Sequence, residues 1–241
     1  SKDDALGLIR QYAARRSDDT ARLHPLVHAN VSDLEQQAYL TRFGGDEPCL
    51  RDHRIHGRQV LPGVAYLEMA RAAIALATPA HGGDDQASGI ELRNVVWAQP
   101  VLFPDHAQLA LSLFVEDEPG LHDCGGDRIG VEIYSDADTV HFQAQALRVT
   151  PGAAPRYAMD ALSTRMGRGR IEADAFYARL AAAGVELGPA HRGVTAVRLG
   201  QDELLAEIVL PGIVSAEADA CVLHPSLLDS AVQAAMVLAM P

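Results

Sequence analysis

The sequence is poor in cysteine, and its few cysteines are badly placed for pairing or for holding a metal. Cys49, Cys124 and Cys221 lie far apart, show no CxxC spacing and are odd in number. This pattern argues against a disulfide framework and against a zinc site, and it indicates the reduced thiols of a cytoplasmic protein. We therefore expect no metal in the chemistry of this chain.

Basic residues are also scarce. The chain has 20 lysines and arginines against 32 aspartates and glutamates, which gives a formal net charge of −12. No basic stripe stands out, so a nucleic-acid backbone is not the expected partner. The same acidity would repel an acidic partner protein, whose docking would then need a local basic patch.

Long hydrophobic runs are missing as well. No run approaches the roughly 20 apolar residues of a membrane-spanning helix, and the start SKDDALGLIRQYAARR is charged and amphipathic, unlike a signal peptide. Hydrophobic residues still make up 48% of the 241 residues, which is ample for a core. We expect a soluble cytoplasmic protein, or a piece of a larger one, with one large domain or two small ones.

The first part of the chain predicts one buried helix and a meander of antiparallel strands. Residues 60–80 are apolar on almost every side, as in a helix buried on most faces, and Pro62 suits its first turn. Two short extended segments are predicted before the helix, at 22–31 and 36–43. Alternating apolar residues predict four strands after it, at 90–97, 107–117, 128–136 and 140–149. Such a meander would wrap around the helix.

The second part repeats this order in a shorter form. The segment 151–170, rich in proline, glycine and charge, is interpreted as an irregular linker between subdomains at 1–150 and 171–241. The later segments predict a helix, two strands and a second buried helix, at 172–184, 195–200, 203–210 and 224–240. No strands follow that helix in this sequence, so we expect further residues, a partner or the first subdomain to cover its apolar face.

Two side chains at the starts of the buried helices could carry acid–base chemistry. His53 could accept a proton at neutral pH, while Asp229, in an apolar setting, would have a raised pKa and could donate one. Packed together, the two subdomains would bring them to one cleft as base and acid. Backbone N–H groups near Gly63 would polarise a carbonyl. This set suits removal of a proton beside a carbonyl with loss of a β-leaving group.

Three motifs, in order, resemble those of dehydratase domains from modular polyketide synthases. The first resembles HxxxGxxxxP, the second GYxYGPxF, and the third the HPxxxD and DxxxQ forms: His53, Gly57 and Pro62; Gly188 and Pro189; His224, Pro225, Asp229 and Gln233. LHPLVHANVSDL also resembles the opening strand of that family. The resemblance extends from about residue 23 to residue 241.

The resemblance implies an α+β double hot dog, with two antiparallel sheets each wrapped around a central helix. It implies that His53 removes the α-proton of a β-hydroxyacyl thioester and that Asp229 protonates the departing hydroxyl. Gln233 would hold the Asp229 carboxyl, Gly57 and Pro62 would shape the loop that aims His53, and Gly63 would lend an N–H to the thioester carbonyl.

The resemblance also implies how the substrate arrives and with which proteins the domain works. The β-hydroxyacyl chain would be delivered on the phosphopantetheine arm of an acyl carrier protein, without a bound cofactor or a metal. The domain would form a homodimer and lie beside the other domains of a synthase.

The chain departs from the family pattern in GVELGPAH. Val185 and Leu187 stand where tyrosines are usual, and His191 stands in place of a phenylalanine. We leave open whether His191 lines the cleft or only packs. The alternatives to dehydration are pyran-ring closure, double-bond isomerisation and a catalytically silent structural role.

The remaining motif residues have plainer interpretations beside the catalytic ones. His56 is interpreted as a loop or surface residue, and His224 as a structural residue that holds the loop before the second buried helix. Asp229 has the alternative of acting only as a helix cap.

Overall fold

The chain divides into two compact units. The computed structural model describes residues 22–34, 36–77, 89–105, 107–115, 128–135 and 139–239. Unit 1 comprises residues 1–44, 66–101 and 105–152, and unit 2 comprises residues 45–65, 102–104 and 153–241. The charged N-terminal segment, Cys124 and most of the loop after the first buried helix lie outside the described residues. The predicted subdomains 1–150 and 171–241 and the linker 151–170 stay a prediction.

The helices and strands establish the predicted α+β class. The α-helices are α1 (Pro48–Arg51), α2 (Gly63–Ala77), α3 (Met159–Arg165), α4 (Ala173–Ala182) and α5 (Pro225–Met236). The strands are β1 (Ala29–Asn30), β2 (Gln37–Arg42), β3 (His53–Ile55), β4 (Arg58–Gln59), β5 (Gly89–Trp97), β6 (Gln108–Val115), β7 (Ile129–Ser135), β8 (Thr139–Val149), β9 (Gly169–Glu172), β10 (Val185–Leu187), β11 (Val194–Leu199) and β12 (Leu204–Ile208). The strands form antiparallel pairs, and the two predicted buried helices are α2 and α5.

Unit 1 is a six-stranded antiparallel sheet with most of α2. The strand order is β1-β2-β6-β7-β8-β5, so the predicted meander holds for β6, β7 and β8. Strand β5 is antiparallel as expected, but it pairs with β8 at the edge of the sheet and not with β6. Alternate residues of β6 point to one face and are buried there, as a period of two requires: Leu109, Leu111 and Leu113. The Tyr66 ring of α2 stacks on Phe142 of β8, with 5.7 Å between ring centroids. The helix is therefore packed against the sheet, as its almost uniformly apolar sequence predicts.

Unit 2 contains two three-stranded antiparallel sheets. Their orders are β10-β3-β4 and β12-β11-β9. Helices α4 and α5 pack with the second sheet around a core of eight buried residues: Ile171, Phe176, Tyr177, Leu180, Leu187, Val194, Val197 and Ala234. The core fixes the side of α5 that faces inward, which carries Asp229 and Gln233.

Helix α5 starts from a sequence that is well suited to the beginning of a helix. His224 is its N-cap and accepts the backbone N–H of Ser226 on Nδ1 at 3.2 Å, while Pro225 occupies the first turn. The cap is thus His224, and the Asp229 side chain bonds elsewhere. On the outer side of α5, Leu227, Val232 and Met236 are exposed.

The segment 151–170 is not irregular throughout, because it contains helix α3. The helix is confined between Pro155 and Gly167, the breakers that suggested an irregular stretch, and Ala161 and Leu162 favour a helical turn between them. Arg165 at its end forms a two-pronged ion pair with Glu203, at 2.9 Å for each bond. Among the described residues, no helix has the length and apolar character needed to cross a membrane.

Candidate active site

A tight hairpin places His53 on the first residue of β3. The turn between β3 and β4 has positive φ at both central residues, 49° at His56 and 78° at Gly57, the geometry of a two-residue type I′ hairpin. Glycine accepts this conformation without strain, which is the local reason for Gly57. The returning strand brings Val60 back beside His53, where its N–H donates to the His53 carbonyl at 3.0 Å.

The Val60 carbonyl also fixes the tautomer of His53. The Nδ1 atom lies 2.8 Å from the Val60 oxygen. A carbonyl oxygen only accepts hydrogen bonds, so Nδ1 carries the hydrogen and Nε2 of the neutral ring keeps its lone pair. This side chain is therefore oriented as a base at Nε2.

Burial lowers the pKa of His53, and the positive charge of His191 nearby lowers it further. The negative charge of Asp229 and the hydrogen bond to Val60 act in the opposite direction but do not outweigh burial. His53 is consequently unprotonated at neutral pH, as a general base must be.

The Asp229 carboxyl is buried and held on one oxygen. Asp229 is 7% exposed, and its Oδ2 accepts a hydrogen bond from Gln233 Nε2, one turn further along α5. The same oxygen lies 2.8 Å from His191 Nδ1. Among the described residues, Oδ1 has no hydrogen-bond partner, which leaves that oxygen for a substrate group.

The pKa of Asp229 is lowered, and the expectation that it would be raised is wrong. Burial does raise the pKa of this carboxyl, and burial is the largest single influence. The hydrogen bond and positive charge of His191, the charge of His53 and the hydrogen bond of Gln233 together outweigh it. The apolar sequence around Asp229 predicted a raised pKa, but the histidine beside this carboxyl reverses the effect of burial.

His191, for which the sequence left open cleft lining or plain packing, lies against the Asp229 carboxyl. It ends the 3-10 helix Pro189–His191 and has no exposed surface. Its Nε2 lies 3.0 Å from the Cys49 carbonyl oxygen, and its ring centroid lies 5.2 Å from that of His53. The spacing of GVELGPAH to Asp229 gave no signal for this contact, because the contact depends on how the chain folds back.

Asp52 holds in place residues 188–190, which form the GP segment. The Asp52 carbonyl accepts the Gly188 N–H at 2.8 Å, and its carboxylate accepts the Ala190 N–H at 2.9 Å. Strand β10 pairs with β3 so that Leu187 lies opposite His53. A Cβ at Gly188 would lie 2.5 Å from Asp52 Cγ, so the close approach explains this glycine. Asp52 directly precedes His53 but is not one of the motif residues, so it was not predicted to belong to the site.

The remaining predicted site residues lie around this group. Pro62 is buried, and its carbonyl accepts the Ala65 N–H at 2.9 Å in the first turn of α2, where Gly63 is the first residue. Pro189 opens the 3-10 helix that ends at His191. His56 is exposed.

Two family models match the chain. The one described as the polyketide synthase dehydratase domain matches residues 24–136. The one described as the polyketide synthase dehydratase N-terminal domain matches residues 160–241. Together the two matches include every residue of the candidate site.

Solved structures and curated sequences agree with these matches. A crystal structure of a trans-AT polyketide synthase dehydratase domain from Brevibacillus brevis is 36% identical, with a TM-score of 0.81, over 92% of this chain and 76% of that one. The dehydratase domain of RzxB from Pseudomonas fluorescens is 34% identical, with a TM-score of 0.71, over 90% of this chain and 75% of that one. The polyketide synthase PksN of Bacillus subtilis is 34% identical over 93% of this chain, which spans 4% of that synthase. The likeness in structure confirms the double hot dog fold.

Proposed function

The chain belongs to the family of polyketide synthase dehydratase domains, lyases that remove water from β-hydroxyacyl chains, and we propose that it performs this reaction with His53 as base and Asp229 as acid. The observation that carries the assignment of roles is that each group is hydrogen-bonded through one atom and keeps its second polar atom for a substrate. His53 is bound at Nδ1 and keeps a lone pair at Nε2. Asp229 is bound at Oδ2 and keeps Oδ1 without a partner among the described residues.

In the proposed reaction, two protons move and one C–O bond breaks. His53 Nε2 takes the α-proton of the β-hydroxyacyl thioester, and the electron pair of that C–H bond becomes the new C=C bond. The C–O bond at the β-carbon breaks, its oxygen takes a proton from Asp229 and leaves as water. The products are an α,β-unsaturated thioester, a protonated His53 and an ionised Asp229.

The remaining groups of the motifs support these two roles. Gln233 steadies the Asp229 carboxyl through Oδ2. Backbone N–H groups at the start of α2, beginning at Gly63, are suited to polarise the thioester carbonyl because the start of a helix carries partial positive charge. Gly57 shapes the turn of the hairpin that brings Val60 beside His53, and Pro62 shapes the start of α2.

From family membership we also propose how the acyl substrate is delivered and which domains lie beside this one. The curated relative is a synthase many times longer than this chain, so neighbouring synthase domains are expected. The acyl chain would arrive on the phosphopantetheine arm of an acyl carrier protein, and the domain would work as a homodimer in the cytoplasm. An acid and a base are sufficient for this elimination, so the proposal includes no bound cofactor and no metal.

The alternatives of ring closure, double-bond migration and a silent domain are less well supported. The Asp229–Gln233 pair and Pro62, which the resemblance associates with dehydration, are all in place around the site. A silent domain would not need a histidine with a fixed tautomer beside a buried carboxyl.

The roles are tested by single-turnover rates of enoyl formation from a carrier-bound 3-hydroxyacyl chain. His53→Ala and Asp229→Asn should each lower the rate by about 10²–10⁴-fold, the usual contribution of a positioned acid or base. His56→Asn is the matched control, because His56 is exposed and asparagine tolerates its positive φ. Either catalytic variant with a wild-type rate, while folded, would contradict the role assigned to that residue.

A further inference from the structure

Both ring nitrogens of His191 face hydrogen-bond acceptors. Nε2 lies 3.0 Å from the carbonyl oxygen of Cys49, and Nδ1 lies 2.8 Å from Oδ2 of Asp229. The carbonyl has no hydrogen to donate, so Nε2 must carry the ring hydrogen of a neutral His191. Nδ1 would then present a lone pair to Asp229.

An ionised Asp229 beside a neutral His191 would place two lone pairs against each other. The ring is fully buried and the carboxyl nearly so, which makes this contact costly. One additional proton, on either atom, turns the contact into a charge-assisted or carboxyl–imidazole hydrogen bond of the observed length. The geometry therefore requires a proton beyond those of a neutral histidine and an ionised aspartate.

We propose that His191 and Asp229 share one proton, and that His191 is a positioning residue through which this proton is retained beside the catalytic acid. The sharing follows from the contacts alone, while its consequence for catalysis rests on the proposed function. The pair with its proton has no net charge, and without it the pair carries one negative charge.

The Gln233 amide cannot supply that proton. Its Nε2 lies 3.2 Å from the His191 carbonyl oxygen, which only accepts, so the amide nitrogen and not its oxygen faces Asp229. Oδ2 of Asp229 therefore accepts one hydrogen bond from a neutral amide and a second from His191. Two donors on one oxygen favour the arrangement in which Nδ1 holds the proton at rest, in agreement with the lowered pKa of Asp229.

Among the other charged and titratable groups near His191, the Asp52 carboxylate favours the shared proton and the Arg192 guanidinium opposes it. Near α1, the Asp52 carboxylate has a lowered pKa, held down by Arg51 and the Ala190 N–H although burial raises it, and its negative charge favours a proton on His191. His53 on β3 has a lowered pKa and is neutral near pH 7. On α4, burial raises the pKa of Tyr177 to about 12, and Arg192 lies over the ring of this tyrosine. Cys49 and Glu217 lie on the side of the Cys49 carbonyl.

The shared proton completes the proton balance of the proposed cycle. The shared proton passes from His191 Nδ1 to Oδ2 of Asp229, and rotation of the carboxyl group presents the protonated oxygen to the substrate. The departing hydroxyl takes this proton, which leaves a neutral His191 and an ionised Asp229. His53 holds the α-proton of the substrate. Transfer of that proton from His53 to the pair, through solvent, restores the starting state with water and enoyl thioester as the net products.

Nuclear magnetic resonance of the free protein tests the sharing without reference to turnover. The probe is protein labelled with ¹⁵N at the histidine rings and ¹³C at the aspartate carboxyls, with His191→Phe used to assign the ring. We expect one shared proton near pH 7, seen as a protonated Nδ1 of His191 or as a neutral Asp229 carboxyl. In Asp229→Asn, His191 should revert to a neutral ring protonated at Nε2. A neutral His191 beside an ionised Asp229 in the wild type would overturn the proposal.

The pH dependence of enoyl formation tests the consequence for catalysis. His191→Gln can donate to Asp229 but cannot ionise, and His191→Phe fills the ring volume without either hydrogen bond. In both, the alkaline limb should move to lower pH by about one unit, a tenfold loss at a fixed pH on that limb. Lower rates with an unmoved limb would overturn the positioning role. If the shared proton is observed but the wild type forms no enoyl product, only the proposed function fails.

Discussion

At the scale of single residues, the site is organised by main-chain carbonyls as much as by side chains. The Val60 carbonyl fixes the tautomer of His53, and the Cys49 carbonyl fixes that of His191. Both carbonyls belong to the main chain, so a substitution of the Val60 or Cys49 side chain leaves the acceptor in place. The identities of the two histidines, by contrast, decide where protons are held.

The lowered pKa of His53 predicts the acid limb of the pH–rate profile. The base must be unprotonated, and burial keeps it so to lower pH than an ordinary imidazole. The acid limb of kcat/KM, which reports the free enzyme, should therefore lie below about pH 6.5. The measurement is kcat/KM for a 3-hydroxyacyl thioester between mildly acidic and neutral pH. If the acid limb lies at or above about pH 6.5 both in the wild type and in the exposed-site control His56→Asn, burial does not control the pKa of His53.

The sequence marks the two residues that we propose as base and acid, but it does not show their environment. His53 and Asp229 were found because a motif marks each of them. Their partners depend on contacts between distant parts of the chain, such as the bond from Ala190 N–H to Asp52 across 138 positions. The prediction of a raised pKa for Asp229 failed for this reason, since a buried histidine reverses the effect of burial.

At the scale of elements, long periodic segments were predictable and short ones were not. The strands β5 to β8 and the helices α2, α4 and α5 follow from apolar periods extending over many residues. The position of β5 beside β8 does not follow from them, because a period shows that a strand forms but not which strand it pairs with. The strands β3, β4, β9 and β10 have two to four residues each, too few to show a period. These short strands include the two that place His53 beside the GP segment.

The contact between Asp52 and Gly188 predicts a cost for any side chain at position 188. Gly188→Ala would place a Cβ within 2.5–2.8 Å of three Asp52 side-chain atoms, and the resulting overpacking should destabilise the fold by about 1–3 kcal/mol. The measurement is the free energy of unfolding in urea. Gly212→Ala is the matched control, because a Cβ there meets no atom within 4 Å. Equal stabilities of the two variants would contradict the close packing described for this segment.

At the scale of the whole molecule, the resemblance to a family supplied what residue patterns alone could not. Periodicity indicated an α+β protein with two buried helices, and the motifs added the double hot dog, which the solved relatives confirm. The chain spans 4% of the length of the synthase PksN, and its residue patterns do not carry the identity of the acyl chain. The acyl chain length and hydroxyl configuration are therefore matters for direct assay.

The most direct test of the account is the mass of a carrier-bound 3-hydroxyacyl chain after incubation with the wild-type protein. Both hydroxyl configurations should be supplied, with Asp229→Asn as the inactive comparison. We expect loss of one water from one configuration with the wild type and none with the variant. An unchanged mass for both configurations, with the protein folded, would contradict dehydration, and cyclisation of a hydroxy-enoyl chain at constant mass would then indicate ring closure.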